Sequence, residues 1–242
     1  MTWRDAILDA WSVLFPVDCA GCGQHDRALC PDCRAALLPT PALHSTPGGL
    51  EVWCGLRYEG PVRRVLLALK EQERTDVAPA LATSLAAAVA AAAPPPGAAI
   101  AAVPSSRAAY RRRGFDPVAL LARRAGLRSQ RVLRHARGTA RQKSLGVADR
   151  AANVRGALAA TRQLEGRAFL IVDDVLTTGA TLDEAAGAVR AAGGVVVGAA
   201  TLAFTPRRHP TSDTAPAQDY GGPQGAQRST AWTGPFSPGG GA

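Results

Sequence analysis

The sequence predicts an α/β fold: a parallel sheet flanked by helices, preceded by a small cysteine-bearing lobe. Between residues 51 and 205, strand-like and helix-like segments alternate, and the strand-like ones are unbroken apolar runs. That is the pattern of parallel strands covered on both faces. Before them, Cys19, Cys22, Cys30 and Cys33 form two C-x-x-C pairs in a stretch rich in Gly and Pro. Hydrophobic residues make up 47% of the chain but aromatics only 5%, so the core must be built from Leu, Val and Ala rather than from rings.

Trp3, Ile7 and Trp11 recur at i+4 steps ahead of Pro16, which predicts an amphipathic helix over residues 1–16. Asp5 and Asp9 interrupt any secretory leader there, and no run of about 18 strongly apolar residues exists. The expectation is a cytoplasmic protein without membrane insertion. Residues 51–58 read as a strand. Residues 61–70 read as a helix with Val62, Val65, Leu66 and Leu69 on one face. An Ala-rich helix over 76–93 must stop at the three prolines 94–96. Strand 98–104, helix 116–125, strand 169–174, helix 182–193 and strand 195–203 complete the alternation. Residues 206–242 hold Pro, Gly, Ser, Thr and Gln with almost no aliphatic content, so a disordered tail is expected. The predicted division is 1–50, 51–205 and 206–242.

Formal charge is +9. Fourteen basic residues fall between Arg107 and Arg155, opposed only by Asp116 and Asp149. A field that concentrated suits a polyanion, either a nucleic-acid backbone or a phosphorylated small molecule, if it is more than a solvated face.

Phe169–Leu–Ile–Val–Asp–Asp–Val–Leu–Thr–Thr–Gly–Ala–Thr181 carries the most chemistry. A buried strand delivers Asp173 and Asp174 to its carboxyl edge, where ligands of open α/β sheets bind. A short turn, Thr177, Thr178, Gly179, Ala180 and Thr181, then opens a helix. Its N–H groups, helix dipole and hydroxyls make an anion cradle, with Gly179 letting a phosphate approach closely. Asp173 and Asp174 suit ribose hydroxyls or a hydrated Mg²⁺. No Lys follows the glycine, which excludes a Walker A loop.

Asp-Asp followed by Thr-Thr-Gly-Ala-Thr resembles the signature of type I phosphoribosyltransferases, which bind phosphoribosyl pyrophosphate (PRPP). Three further stretches, residues 58–70, 103–116 and 141–158, in that order, look like the ComF family, which is associated with natural competence and DNA uptake and carries an N-terminal zinc-binding segment. The resemblance spans about residues 11–203. It implies a phosphoribosyltransferase-like sheet, Ser105, Ser106 and Arg107 in a pyrophosphate loop, and Lys70 as a phosphate ligand or a snorkelling helix-end cation. Mg²⁺ would accompany PRPP. Arg111, Arg113 and Gly114 match the family's Arg-x-Arg-Gly, and Arg111, Arg112 and Arg113 are candidates for DNA contact. The family's usual Phe-Asn-Gln is here Phe115-Asp116-Pro117. Gln142 and Asn153 read as structural.

The four cysteines have the spacing of two knuckles closing one tetrahedral site, a zinc ribbon-like lobe with structural Zn²⁺ the default and a rubredoxin-like iron the alternative. Only seven residues separate the pairs, so the knuckles must nearly abut. Cys54 reads as core. Two readings of function stand: an enzyme transferring a phosphoribosyl group from PRPP, and a non-catalytic competence factor that meets single-stranded DNA and competence proteins and uses the PRPP pocket for regulation.

Overall fold

The computed structural model describes residues 17–25, 27–136 and 156–206. The amphipathic segment 1–16, Gln142, Asn153 and the tail beyond Pro206 lie outside the described residues. Helix α1 (Pro31–Ala35) is followed by strands β1 (Ala42–Ser45) and β2 (Glu51–Arg57), helices α2 (Gly60–Glu71) and α3 (Ala78–Ala91), and strand β3 (Ala99–Ala102). Then come α4 (Arg107–Arg113), α5 (Pro117–Arg124), the short strands β4 (Ser129–Gln130), β5 (Leu133–His135) and β6 (Leu158–Ala160), strand β7 (Ala168–Leu176), helix α6 (Ala180–Ala191) and strand β8 (Val195–Phe204).

Six strands form one sheet in the order β1-β2-β8-β7-β3-β4, parallel throughout except for β1, which pairs antiparallel with β2 at one edge. β5 and β6 make a separate antiparallel pair. The sheet is buried on both sides, as the apolar strands require. Leu170 and Val172 of β7 face a cluster with α2, α3 and α5, while Phe169 and Ile171 face α6 and the β5–β6 pair. That is the two-residue alternation of a strand read against two covers. Cys19, Cys30 and Cys33 join the first of these clusters, so the cysteine segment packs into the core that α2 and α3 share.

Most expected elements form, with boundaries shifted. Pro61 and Pro117 sit in the first turns of α2 and α5, where a missing N–H costs nothing. β7 does not end at the acids: its ladder with β8 continues to Leu176, opposite Phe204. The sequence reading also missed α1, α4, β1, β4 and the β5–β6 pair, all seven residues or shorter and too short for periodicity to declare.

Candidate phosphoribosyl site and cysteine cluster

The strand order places the site. β3 runs through α4 and α5 to β4 on its outer side, whereas β7 runs through α6 to β8 on the other. Neighbouring parallel strands whose connections leave in opposite directions open a crevice at their carboxyl ends, the place where open α/β sheets hold ligands. The loop 103–106 leaves β3 there, and the turn 177–179 leaves β7 beside it.

In the second of these loops, Thr177, Thr178 and Thr181 are exposed while Gly179 is buried. Gly179 caps α6 in the left-handed region at φ +85°, a conformation that glycine alone adopts without strain. Its missing Cβ also has a use beyond the one expected. An added Cβ would lie 2.8 Å from Cβ and Cγ2 of Thr46 and 3.1 Å from Cδ of Pro47. The close approach that glycine permits is therefore to the protein's own β1–β2 turn, and the hydroxyl-bearing residues of the loop face solvent.

Asp173 and Asp174 lie three and two residues before the end of β7. Asp174 Oδ2 accepts an ion-paired hydrogen bond from Lys70 Nζ at 2.7 Å, both side chains being about one-fifth exposed at 21%. Lys70 stands in the last turn of α2, so the helix-end cation that sequence placed among the phosphate ligands reaches the acid pair. The Asp174 N–H donates to Asp173 Oδ1 at 2.8 Å. Burial, and next the neighbouring Asp174 carboxylate, push Asp173 well above the usual carboxylate range, with that N–H and Lys70 opposing only in part. Two carboxyls share the single positive charge of Lys70, so Asp173 favours its neutral form while Asp174 carries the ion pair.

Across the crevice, Ser105, Ser106 and Arg107 lead into α4. The Ser105 N–H donates to Asp116 Oδ2 at 2.8 Å, and the Ala119 N–H donates to Asp116 Oδ1 at 3.1 Å. Asp116 thus caps α5 and anchors the loop with one carboxylate. Ser106 Oγ caps α4 by accepting from the Ala109 N–H at 3.2 Å. Two groups expected to meet pyrophosphate therefore already have partners within the protein; the Ser105 hydroxyl and the exposed Arg107 guanidinium stand free of these bonds. His135 Nε2 lies 3.1 Å from the Pro104 carbonyl. α4 has no buried residue, and Tyr110 is half exposed. Arg111 and Arg112 are exposed, whereas Arg113 is partly buried, its Nε without a hydrogen-bond partner among the described residues.

The four cysteine sulfurs come within 4.8 Å of one another, and none of the cysteines is in a disulfide. Cys22 and Cys30 Sγ are 3.7 Å apart, close to the roughly 3.8 Å edge of a sulfur tetrahedron around zinc with bonds of about 2.3 Å. The Cys30 N–H points at Cys19 Sγ at 3.3 Å and the Cys33 N–H at Cys30 Sγ at 3.4 Å, as donors around thiolate ligands do. Burial works to raise the Cys19 thiol, but the N–H groups of Cys30, Cys22 and Gly21 outweigh it and hold the group at about 6. Burial, then the neighbouring thiols, push Cys33 up. The donor set can hold one metal ion such as zinc. Arg64 Nε donates to the Gly21 carbonyl, and an Arg74 guanidinium nitrogen donates to the Asp18 carbonyl at 3.0 Å, tying the knuckle to α2 and the segment after it. Cys54 is core, accepting from Thr201 Oγ1 at 3.2 Å.

Comparison with known families agrees with the crevice. The family model of the phosphoribosyl transferase domain matches residues 111–219, so the chain carries a phosphoribosyltransferase-type domain there. The match takes in Asp173, Asp174 and the 177–181 turn and leaves out Lys70, the 105–107 loop and the cysteines. No curated protein matches the chain. Among the described residues no helix is long and apolar enough to cross a membrane.

Sequence reasoning missed Asp116 as an anchor, along with Thr46 and Asp183, treated below. Asp116-Pro117 before an apolar run is a readable N-cap; nothing local connects Thr46 with Asp183.

Proposed function

We propose that this chain binds PRPP at the β3–β7 crevice and works as a ComF-type phosphoribosyltransferase-like protein in the uptake and processing of DNA. The observation that carries the reading is the turn at the start of α6, with Thr177, Thr178 and Thr181 exposed around Gly179 and Ala180, directly beyond Asp173 and Asp174, inside the segment matched to the phosphoribosyl transferase domain. In this reading the turn takes the 5′-phosphate through N–H groups and hydroxyls. Asp173 and Asp174 accept from the ribose hydroxyls or hold Mg²⁺, Lys70 balances their charge, and Ser105, Ser106 and Arg107 take the pyrophosphate. If a phosphoribosyl group is transferred, these residues act by positioning and by stabilising charge as pyrophosphate leaves.

Calorimetric titration of PRPP with Mg²⁺ tests the assignment. Replacing both Thr178 and Thr181 by Val should weaken binding about a hundredfold or more, the cost of two lost hydrogen bonds to a charged group. Unchanged affinity in the double variant would defeat the site.

The second reading, a DNA-associated factor whose PRPP pocket regulates it, draws on α4. A helix with no buried residue that exposes Arg107, Arg111, Arg112 and the ring of Tyr110 suits a single-stranded phosphate backbone better than it suits a core. Affinity for an oligonucleotide should fall steeply across a salt series, and Arg111→Ala with Arg112→Ala should flatten that slope. Salt-independent binding would count against it.

A further inference from the structure

The β1–β2 turn, residues 46–49, has no part in the reading above, yet it interlocks with the phosphate loop at both ends. Thr46 is 5% exposed. Its hydroxyl donates to Asp183 Oδ1 and accepts from the Leu50 N–H at 3.1 Å. The Gly48 N–H donates to Asp183 Oδ2 at 3.0 Å. Both oxygens of one carboxylate in the first turn of α6 are thus held by a segment 135–137 residues earlier in the chain.

The fit is reciprocal. A Cβ on Gly48 would come within 2.6–3.0 Å of the three Asp183 carboxylate atoms, while a Cβ on Gly179 would strike Thr46. Each segment carries a glycine where the other presses closest. The turn itself is stiff: the Thr46 N–H donates to the Leu50 carbonyl at 3.0 Å and the Gly49 N–H to the Thr46 carbonyl at 3.0 Å. Its strands are anchored in the sheet through the β1–β2 and β2–β8 ladders.

We propose that Thr46 and Asp183 are positioning residues for the phosphate loop: the β1–β2 turn is a template that holds residues 178–181 in their anion-binding conformation before the ligand arrives. This rests on the PRPP reading of that loop. A carboxylate near a helix N-terminus ordinarily competes for the positive end of the dipole. Here its two oxygens are engaged by the turn, which keeps the carboxylate off the loop's amides, of which the Ala180 N–H is turned toward Thr178 Oγ1 at 3.4 Å. Ordering the loop in advance removes a cost that binding would otherwise bear.

The test is a set of titrations with PRPP, ribose 5-phosphate and inorganic pyrophosphate on the full chain. Thr46→Val keeps the methyl that packs on Gly179 and loses only the hydroxyl. It should weaken PRPP and ribose 5-phosphate about tenfold, the scale of one lost bond to a charged group, and leave pyrophosphate unchanged. Thr46→Ser should restore affinity. Asp183→Asn, which turns one acceptor into a donor facing the Gly48 N–H or the Thr46 hydroxyl, should reproduce the loss and keeps the test open if Thr46→Val does not fold. A Thr46→Val protein that binds all three ligands like wild type, or loses pyrophosphate equally, overturns the proposal. Wild-type protein that binds no PRPP at all removes the reading beneath it as well.

Discussion

The two loops that meet at the crevice are built differently. The turn after β7 is clamped: buried Gly179 lies against Thr46 and Pro47, Asp183 is held by the β1–β2 turn, and α6 packs Leu182, Ala185 and Val189 into the core. The loop after β3 is tethered by Asp116 and by the His135 contact to the Pro104 carbonyl, and leads into α4, which has no fully buried residue. A site for a sugar with phosphates at both ends would need one end fixed for register and the other free to release pyrophosphate. The contrast teaches where each function would reside: affinity for the 5′-phosphate in a preformed cradle, and adjustment to the diphosphate in a loosely tethered arm.

The widest blow to that comparison should come from the metal cluster. Cys30→Ser should lose a bound metal and about 4 kcal/mol or more of stability. Because Cys19, Cys30 and Cys33 share a core with α2, α3 and α5 and not with α6, hydrogen exchange should accelerate in α2 and α5 first. Equal acceleration in α6 would erase the distinction between the two halves. Gly179→Ala adds a Cβ at 2.8 Å from Thr46 at a positive φ, which should cost about 2–3 kcal/mol and should weaken ribose 5-phosphate more than pyrophosphate, measured by thermal melting and by titration. Asp116→Ala removes the acceptor of two N–H groups, about 2 kcal/mol, and should show the opposite ligand preference.

The smallest effect has the reverse sign. Asp173 is raised in the folded protein, chiefly by burial, so its contribution is whole below about pH 4, the unfolded value, and is lost as pH climbs through the folded one. Asp173→Asn should therefore stabilise the ligand-free protein at neutral pH and flatten stability against pH. A destabilised variant would contradict the burial argument.

Local pattern revealed what local pattern encodes. The apolar strands, the two C-x-x-C pairs and the Asp-Asp turn were readable because each is a contiguous signature with one physical purpose. Lys70 could be named from its place at a helix end, but its Asp174 partner lies 104 residues later. The contact of Gly179 with Thr46 and Pro47 was hidden for the same reason: sequence shows that a Cβ is excluded, not which neighbour excludes it. α4 escaped because a helix with no buried face has no periodicity to detect. Asp116 was seen as an acid within a basic stretch and as a departure from the family's Asn, although its cap is written in Asp-Pro.

Amide spectra recorded while ribose 5-phosphate is titrated into the isotope-labelled protein address the central claim most directly. The account predicts saturable shifts largest at Thr178, Gly179, Ala180 and Thr181, with Ser105 and Ser106 little moved until pyrophosphate is added. Shifts that spare residues 178–181 and gather elsewhere would contradict it.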